Sequence, residues 1–136
     1  MSTIRLVVVD DDPVVRMAVR LAVESDGRFA LVGEASDAPT AMDLVREQRP
    51  EAVVLDHMLV PGGPSPHGRR EEPSTGLSAV EYLRAIAPAT VVAIYSGKSG
   101  LEVSARNAGA DLYVEKGRPE DLLDALAAAV STAAGH

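Results

Sequence analysis

Five short, mostly apolar runs recur along the chain: Ile4–Val9, Phe29–Ala35, Ala52–Leu55, Val91–Tyr95 and Leu112–Val114. Runs of three to seven residues rich in Val, Leu and Ile, without polar alternation, read as strands buried on both faces of a parallel sheet. Between them the period changes from near-continuous to helical. Val15, Ala18, Val19 and Ala22 fall at i, i+3, i+4 and i+7, one apolar helix face, opened by Asp12-Pro13 and expected to end at Ser25-Asp26-Gly27 with Gly27 left-handed. Ser36 or Asp37 opens a second helix with Ala41, Leu44 and Val45 inward, and Pro50 stops it. A third runs from Gly76 with Ala79, Val80, Leu83 and Ile86 inward, closed by Pro88. Ser99 and Glu102 have capping-box spacing for a fourth, with Leu101, Ala105 and Ala108 inward and Gly109 as its C-terminal cap. A fifth begins near Pro119, with Glu120 and Asp121 against the positive end of its dipole and Leu122, Ala125, Leu126 and Ala129 as its buried stripe. Residues from Ser131 to His136 are expected to fray.

Five strand–helix pairs with right-handed crossovers predict an α/β fold, a three-layer, doubly wound, five-stranded parallel sheet. The second run, the least uniformly apolar, is expected at the sheet edge. One segment breaks the pattern. Pro61–Pro73 holds four prolines, three glycines and the run Arg69-Arg70-Glu71-Glu72, with almost no apolar residue. It reads as an insertion loop, either tolerated or tuning access to whatever lies beside it.

Composition narrows the function classes. The 136 residues suit one domain, and aromatics are only 3%, so the core must be built from Val, Leu and Ala. A net charge of −7 argues against direct nucleic-acid binding, which needs clustered Lys and Arg. The absence of cysteine excludes disulfides and thiolate metal sites and suits a cytoplasmic protein. No apolar run approaches the roughly 20 residues of a membrane-spanning helix.

The chemistry gathers at the strand ends. In open α/β sheets ligands bind beyond the carboxyl ends of the strands. Here the first strand runs into Asp10-Asp11-Asp12, the third into Asp56, the fourth into Ser96 and the fifth through Glu115 into Lys116. Alone, the Asp triplet also fits a solvated turn with a helix cap, the role expected of Asp12. Clustered carboxylates with oxygen-only donors suit a hard divalent cation, Mg²⁺ above all. A carboxylate nucleophile, a cation, a lysine and a hydroxyl suffice for phosphoryl transfer, which is mainly positioning and charge neutralisation. His57 and His67 lack a third ligand for a transition-metal site.

These residues resemble the receiver domain of two-component response regulators. The motifs are Val8-Val9-Asp10-Asp11, Val54-Leu55-Asp56, Ile94-Tyr95-Ser96-Gly97 and Tyr113-Val114-Glu115-Lys116, in order on alternate strands. The resemblance implies a flavodoxin-like strand order 2-1-3-4-5, a receiver domain over residues 1–130 with an insertion at 61–75, and a tail at 131–136. It implies Asp56 as phosphoacceptor, Mg²⁺ held by Asp10, Asp11, Asp56 and the Met58 carbonyl, Lys116 pairing the phosphoryl group, Ser96 as switch hydroxyl and Tyr113 as switch aromatic. The implied partners are a sensor histidine kinase or phosphotransfer protein and a second copy meeting the fourth-helix, fifth-strand, fifth-helix face. Neither nucleic acid nor membrane is an implied direct partner, and the only catalysis is of the chain's own phosphorylation and dephosphorylation.

The chain departs from the family pattern in three places. Val60 stands where a proline is usual, the following loop is longer, and Gly117 replaces the proline after the lysine. Two other functions remain open at this point. One is a phosphorylation-independent receiver-like module used for binding or dimerisation. The other is a phosphohydrolase, opposed by Met58 where such enzymes carry a second acid.

Overall fold

The computed structural model describes residues 3–57 and 76–134. Expectations that fall on Met58, His67 and the Pro61–Pro73 insert lie outside the described residues. Among the described residues ten elements alternate: β1 (Ile4–Val9), α1 (Pro13–Glu24), β2 (Phe29–Ala35), α2 (Ala38–Gln48), β3 (Ala52–Leu55), α3 (Gly76–Ile86), β4 (Val91–Ser96), α4 (Glu102–Ala108), β5 (Leu112–Glu115) and α5 (Pro119–Ala134). All pairings are parallel, and the strand order is β2-β1-β3-β4-β5. The three-layer architecture and the edge position of β2 are as the hydrophobic pattern requires.

Alternation along each strand assigns the layers. Val7, Val9, Val53, Leu55, Val92 and Ile94 face one way, onto Ala41, Met42 and Val45 of α2, Ala79, Val80 and Leu83 of α3, and Ala105 of α4. Leu6, Val8, Val54, Ala93 and Tyr95 face the other, onto Val19 and Val23 of α1 and Leu122, Leu123 and Leu126 of α5. β1, β3 and β4 are therefore coated on both faces, which is why their sequences carry no polar alternation. β2 has a neighbour on one side only and is half-buried along most of its length.

Several local expectations are corrected. Ala18 is exposed, and the buried side of α1 is made by Val19 and Val23. Gly27 does not take the left-handed conformation. α1 instead ends on Ser25, and the turn is closed by Asp26, whose carboxylate accepts the Arg28 N–H at 2.9 Å. α2 ends on Arg49 in the left-handed region, φ 47°. Ser99 does not cap α4; its N-cap is Leu101, with no side-chain hydrogen bond. α5 continues through Ala134, beyond the point where fraying was expected.

Gly109, at φ 111°, closes α4 as expected. A Cβ there would lie 2.8 Å from Arg84 Cγ, while Arg84 Nε donates to the Gly109 carbonyl at 2.8 Å. Gly109→Ala therefore meets both backbone strain and a side chain that is already committed. The expected cost is somewhat more than about 1 kcal/mol, read as a lower denaturant midpoint at unchanged slope.

Candidate functional site

The ladder continues one residue past the ends of β1 and β3, and this aligns the site. The Asp56 N–H donates to the Val9 carbonyl and the Asp10 N–H to the Ala35 carbonyl, both at 3.0 Å. On the far side the Lys116 N–H donates to the Ser96 carbonyl at 2.6 Å. Asp10 and Asp56 thus leave the sheet level with each other and Lys116 two residues further along, each with its backbone held by the neighbouring strand. Arg16 adds a further restraint, its guanidinium donating to the Asp10 carbonyl at 2.6 Å.

Asp10, Asp56 and Ser96 are buried, whereas Asp11 is exposed at the rim. Carboxylate oxygens of Asp10, Asp11 and Asp56 all lie within 4.8 Å of one another, a donor set able to hold a metal ion. Lys116 Nζ sits 2.9 Å from Asp10 and 3.4 Å from Asp56, bridging the two buried acids. Asp12 caps α1 by accepting the Val14 N–H at 2.9 Å, as read from the sequence, and its own N–H donates to Asp10 Oδ1 at 2.9 Å.

Burial and neighbouring charge shift two of the ionisable groups. Burial pushes the Asp10 carboxyl above its ordinary value, the Asp56 charge adds to the rise, and the Asp12 N–H and Lys116 only partly oppose it. Burial works against the Lys116 ammonium, but hydrogen bonding and charge from Asp10, then Asp56, raise its pKa overall. Burial is thus the main influence on Asp10, whereas at Lys116 the two buried acids together outweigh it. An oxygen-only cluster with surplus negative charge at the end of a parallel sheet fits Mg²⁺, which characteristically binds one or two carboxylates and retains waters.

Ser96 ends β4 facing this cluster. Its Oγ accepts the Lys98 N–H at 3.0 Å and lies 2.5 Å from His57 Nδ1. Tyr113 is half-buried on β5, and its hydroxyl donates to the Lys98 carbonyl. The Ser96 and Tyr113 side chains thus meet the same residue of the β4–α4 connection. Tyr95 is buried beneath the site and its hydroxyl accepts the Gly117 N–H at 3.3 Å, steadying the chain after Lys116. Of the residues singled out in the sequence, Asp10, Asp11, Asp56, Ser96 and Lys116 converge, Tyr113 lies beside them, and Met58 falls outside the described residues. His57 was weighed in the sequence only as a metal ligand; its position against Ser96 had no local signal.

Known proteins agree with this architecture. The response regulator receiver domain model matches residues 6–127, and the chain belongs to that family. A Pseudomonas aeruginosa protein assigned as a transcriptional regulator is 31% identical over 134 residues, covering 97% of this chain and 58% of its own length. Among solved structures, a LuxR-family two-component response regulator from Aurantimonas superposes with a TM-score of 0.81 at 33% identity, covering 96% of this chain and 87% of that one. A CheY-like receiver domain protein from Methanospirillum hungatei gives a TM-score of 0.80 at 22% identity, with 98% of each chain covered, and supports the fold. The chain is thus the receiver part of a two-component response regulator, and it spans little more than half the length of the Pseudomonas relative. Among the described residues, no helix is long and apolar enough to cross a membrane.

Proposed function

We propose that the chain accepts a phosphoryl group on Asp56 from a phosphohistidine of a sensor kinase or phosphotransfer protein, in a Mg²⁺-dependent reaction. The observation that carries this reading is the bridge from Lys116 to both Asp10 and Asp56, with Asp11 completing the acid cluster and Ser96 on the adjacent strand. An Asp56 carboxylate oxygen attacks phosphorus, the P–N bond to the donor imidazole breaks, and an acyl phosphate remains. Asp10, Asp11 and Asp56, with the Met58 carbonyl expected from the sequence, would hold Mg²⁺, which offsets charge on the phosphoryl oxygens. Lys116 leaves its carboxylate partners to pair with the phosphoryl group, and the Ser96 hydroxyl donates to one of its oxygens.

The output is a shift in the population of the α4–β5–α5 face. Ser96 and Tyr113 both engage Lys98, so a move of the hydroxyl is felt in the connection leading to α4. That helix has seven residues and no side-chain cap, which makes it cheap to displace. This face is where a second copy or an output partner would read the change. The chain modifies only itself, as a cytoplasmic signalling module over residues 1–130, with residues 61–75 an insertion in the sequence after Asp56.

Incubation with acetyl phosphate and Mg²⁺ tests the reading by intact-mass measurement. One added phosphoryl group, dependent on Mg²⁺, is expected. No addition, together with a melting curve indifferent to millimolar Mg²⁺ at constant ionic strength, would point to a phosphorylation-independent binding module. A ligand bound only by the folded state at ten times its Kd should stabilise it by about 1.4 kcal/mol.

A further inference from the structure

We propose that His57 is a positioning residue that latches the Ser96 hydroxyl in the unphosphorylated chain and competes with the phosphoryl group for its proton. The inference deepens the phosphoacceptor reading and rests on it. His57 directly follows Asp56, and its largely buried side chain leans over to β4. Its Nδ1 lies 2.5 Å from Ser96 Oγ but 3.7 Å from Asp56 Oδ1, so the hydroxyl and not the acceptor carboxylate is its hydrogen-bond partner.

The hydroxyl has a single proton to give. Its oxygen already accepts the Lys98 N–H at 3.0 Å. Two acceptors lie within reach of the proton: His57 Nδ1 at 2.5 Å and the Lys98 carbonyl at 3.5 Å. With the imidazole in its Nε2-protonated tautomer, the nearer takes it. A phosphoryl oxygen on Asp56 needs that same O–H donor. Ser96 therefore has to leave His57 before it can stabilise the phosphorylated form, and the latch biases the site toward the unphosphorylated arrangement.

Beryllofluoride with Mg²⁺ is the phosphoryl probe, and its apparent affinity by calorimetry is the readout. His57→Leu keeps the branched, apolar volume and removes the acceptor. Affinity is expected to rise roughly threefold to tenfold, the span of one net hydrogen bond. His57→Asn places an amide oxygen near the Nδ1 position and should return the affinity to that of the unaltered chain. In a Ser96→Ala background the His57→Leu effect should vanish, which a space-filling role would not predict. An unchanged or weakened affinity in His57→Leu, failure of Asn to restore it, or the same gain without the Ser96 hydroxyl would overturn the latch and leave the Asp56 reading standing. A wild-type chain that takes up no beryllofluoride would bring down both. Long-range proton–nitrogen spectra of the unaltered protein give an independent check if His57→Leu does not fold. An Nδ1 accepting a hydrogen bond in the free chain and released on beryllofluoride binding is expected; a protonated Nδ1 or an unchanged signal would refute the latch.

Discussion

Asp56→Asn is expected to remain folded and to take up no phosphoryl group. The amide that replaces the carboxylate is a poor nucleophile, and among the described residues no other acid occupies the same place. Asp10 is buried and paired with Lys116 at 2.9 Å, and Asp11 is exposed at the rim. Labelling by acetyl phosphate should therefore fall to background and not merely slow down. Stability should stay level or rise slightly without Mg²⁺, because the substitution removes one of three mutually repelling charges while the Lys116–Asp10 pair survives. Intact-mass and melting measurements on the same sample check both halves. Persistent single labelling would move the nucleophile elsewhere.

Lys116→Met has the opposite signature, a large loss of stability together with a loss of reaction rate. The side chains of Asp10 and Asp56 are only 3% and 6% exposed, and Lys116 is the cation between them. Removing one partner from a buried ion pair commonly costs about 3–5 kcal/mol; because Asp10 can take up a proton, about 2–3 kcal/mol is expected at pH 7 without metal. Urea unfolding measures this, and Mg²⁺ should recover part of it. The pH dependence gives a second check. The folded-state pKa of Lys116 lies above the ordinary lysine value of 10.5, so its stabilisation is fully present below pH 10.5 and lost as pH rises through the folded value. The substitution should therefore flatten the alkaline limb of the stability profile. Asp10, raised by burial, works in the other direction: the metal-free fold gains relative stability as pH falls through its folded value.

Much of the architecture could be read before any coordinates, and the reason is physical. A strand coated on both faces leaves an unbroken apolar run, and β1, β3 and β4 each show one. The residue that follows such a run is carried to the sheet's carboxyl edge, which made Asp10, Asp56, Ser96 and Lys116 legible. The departures have physical causes of their own. α1 is apolar nearly all round, so Val14, Met17, Ala18 and Leu21 form a second stripe that period alone cannot separate from the buried one; in the structure these four are exposed. Ser99 and Glu102 satisfy a local capping pattern, yet the helix begins two residues too late for Ser99 to use it. At Gly27 an Asp26 side-chain turn did the work assigned to a left-handed glycine. The meeting of His57 with Ser96 spans 39 positions and depends on which strand lies beside β3. No window around His57 encodes that.

The backbone bonds at the strand ends also bear on how such a domain can diversify. The amides of Asp10, Asp56 and Lys116 are each held by a carbonyl of the adjoining strand, not by their own side chains. Coordinates of the reactive atoms are consequently inherited from sheet register, while the identity of each group is free to vary. Exchange of one acid, hydroxyl or cation changes the chemistry on offer while the strand register beneath it stays in place. For an engineer, the sheet edge behaves as a fixed socket into which differently tempered side chains can be fitted one at a time.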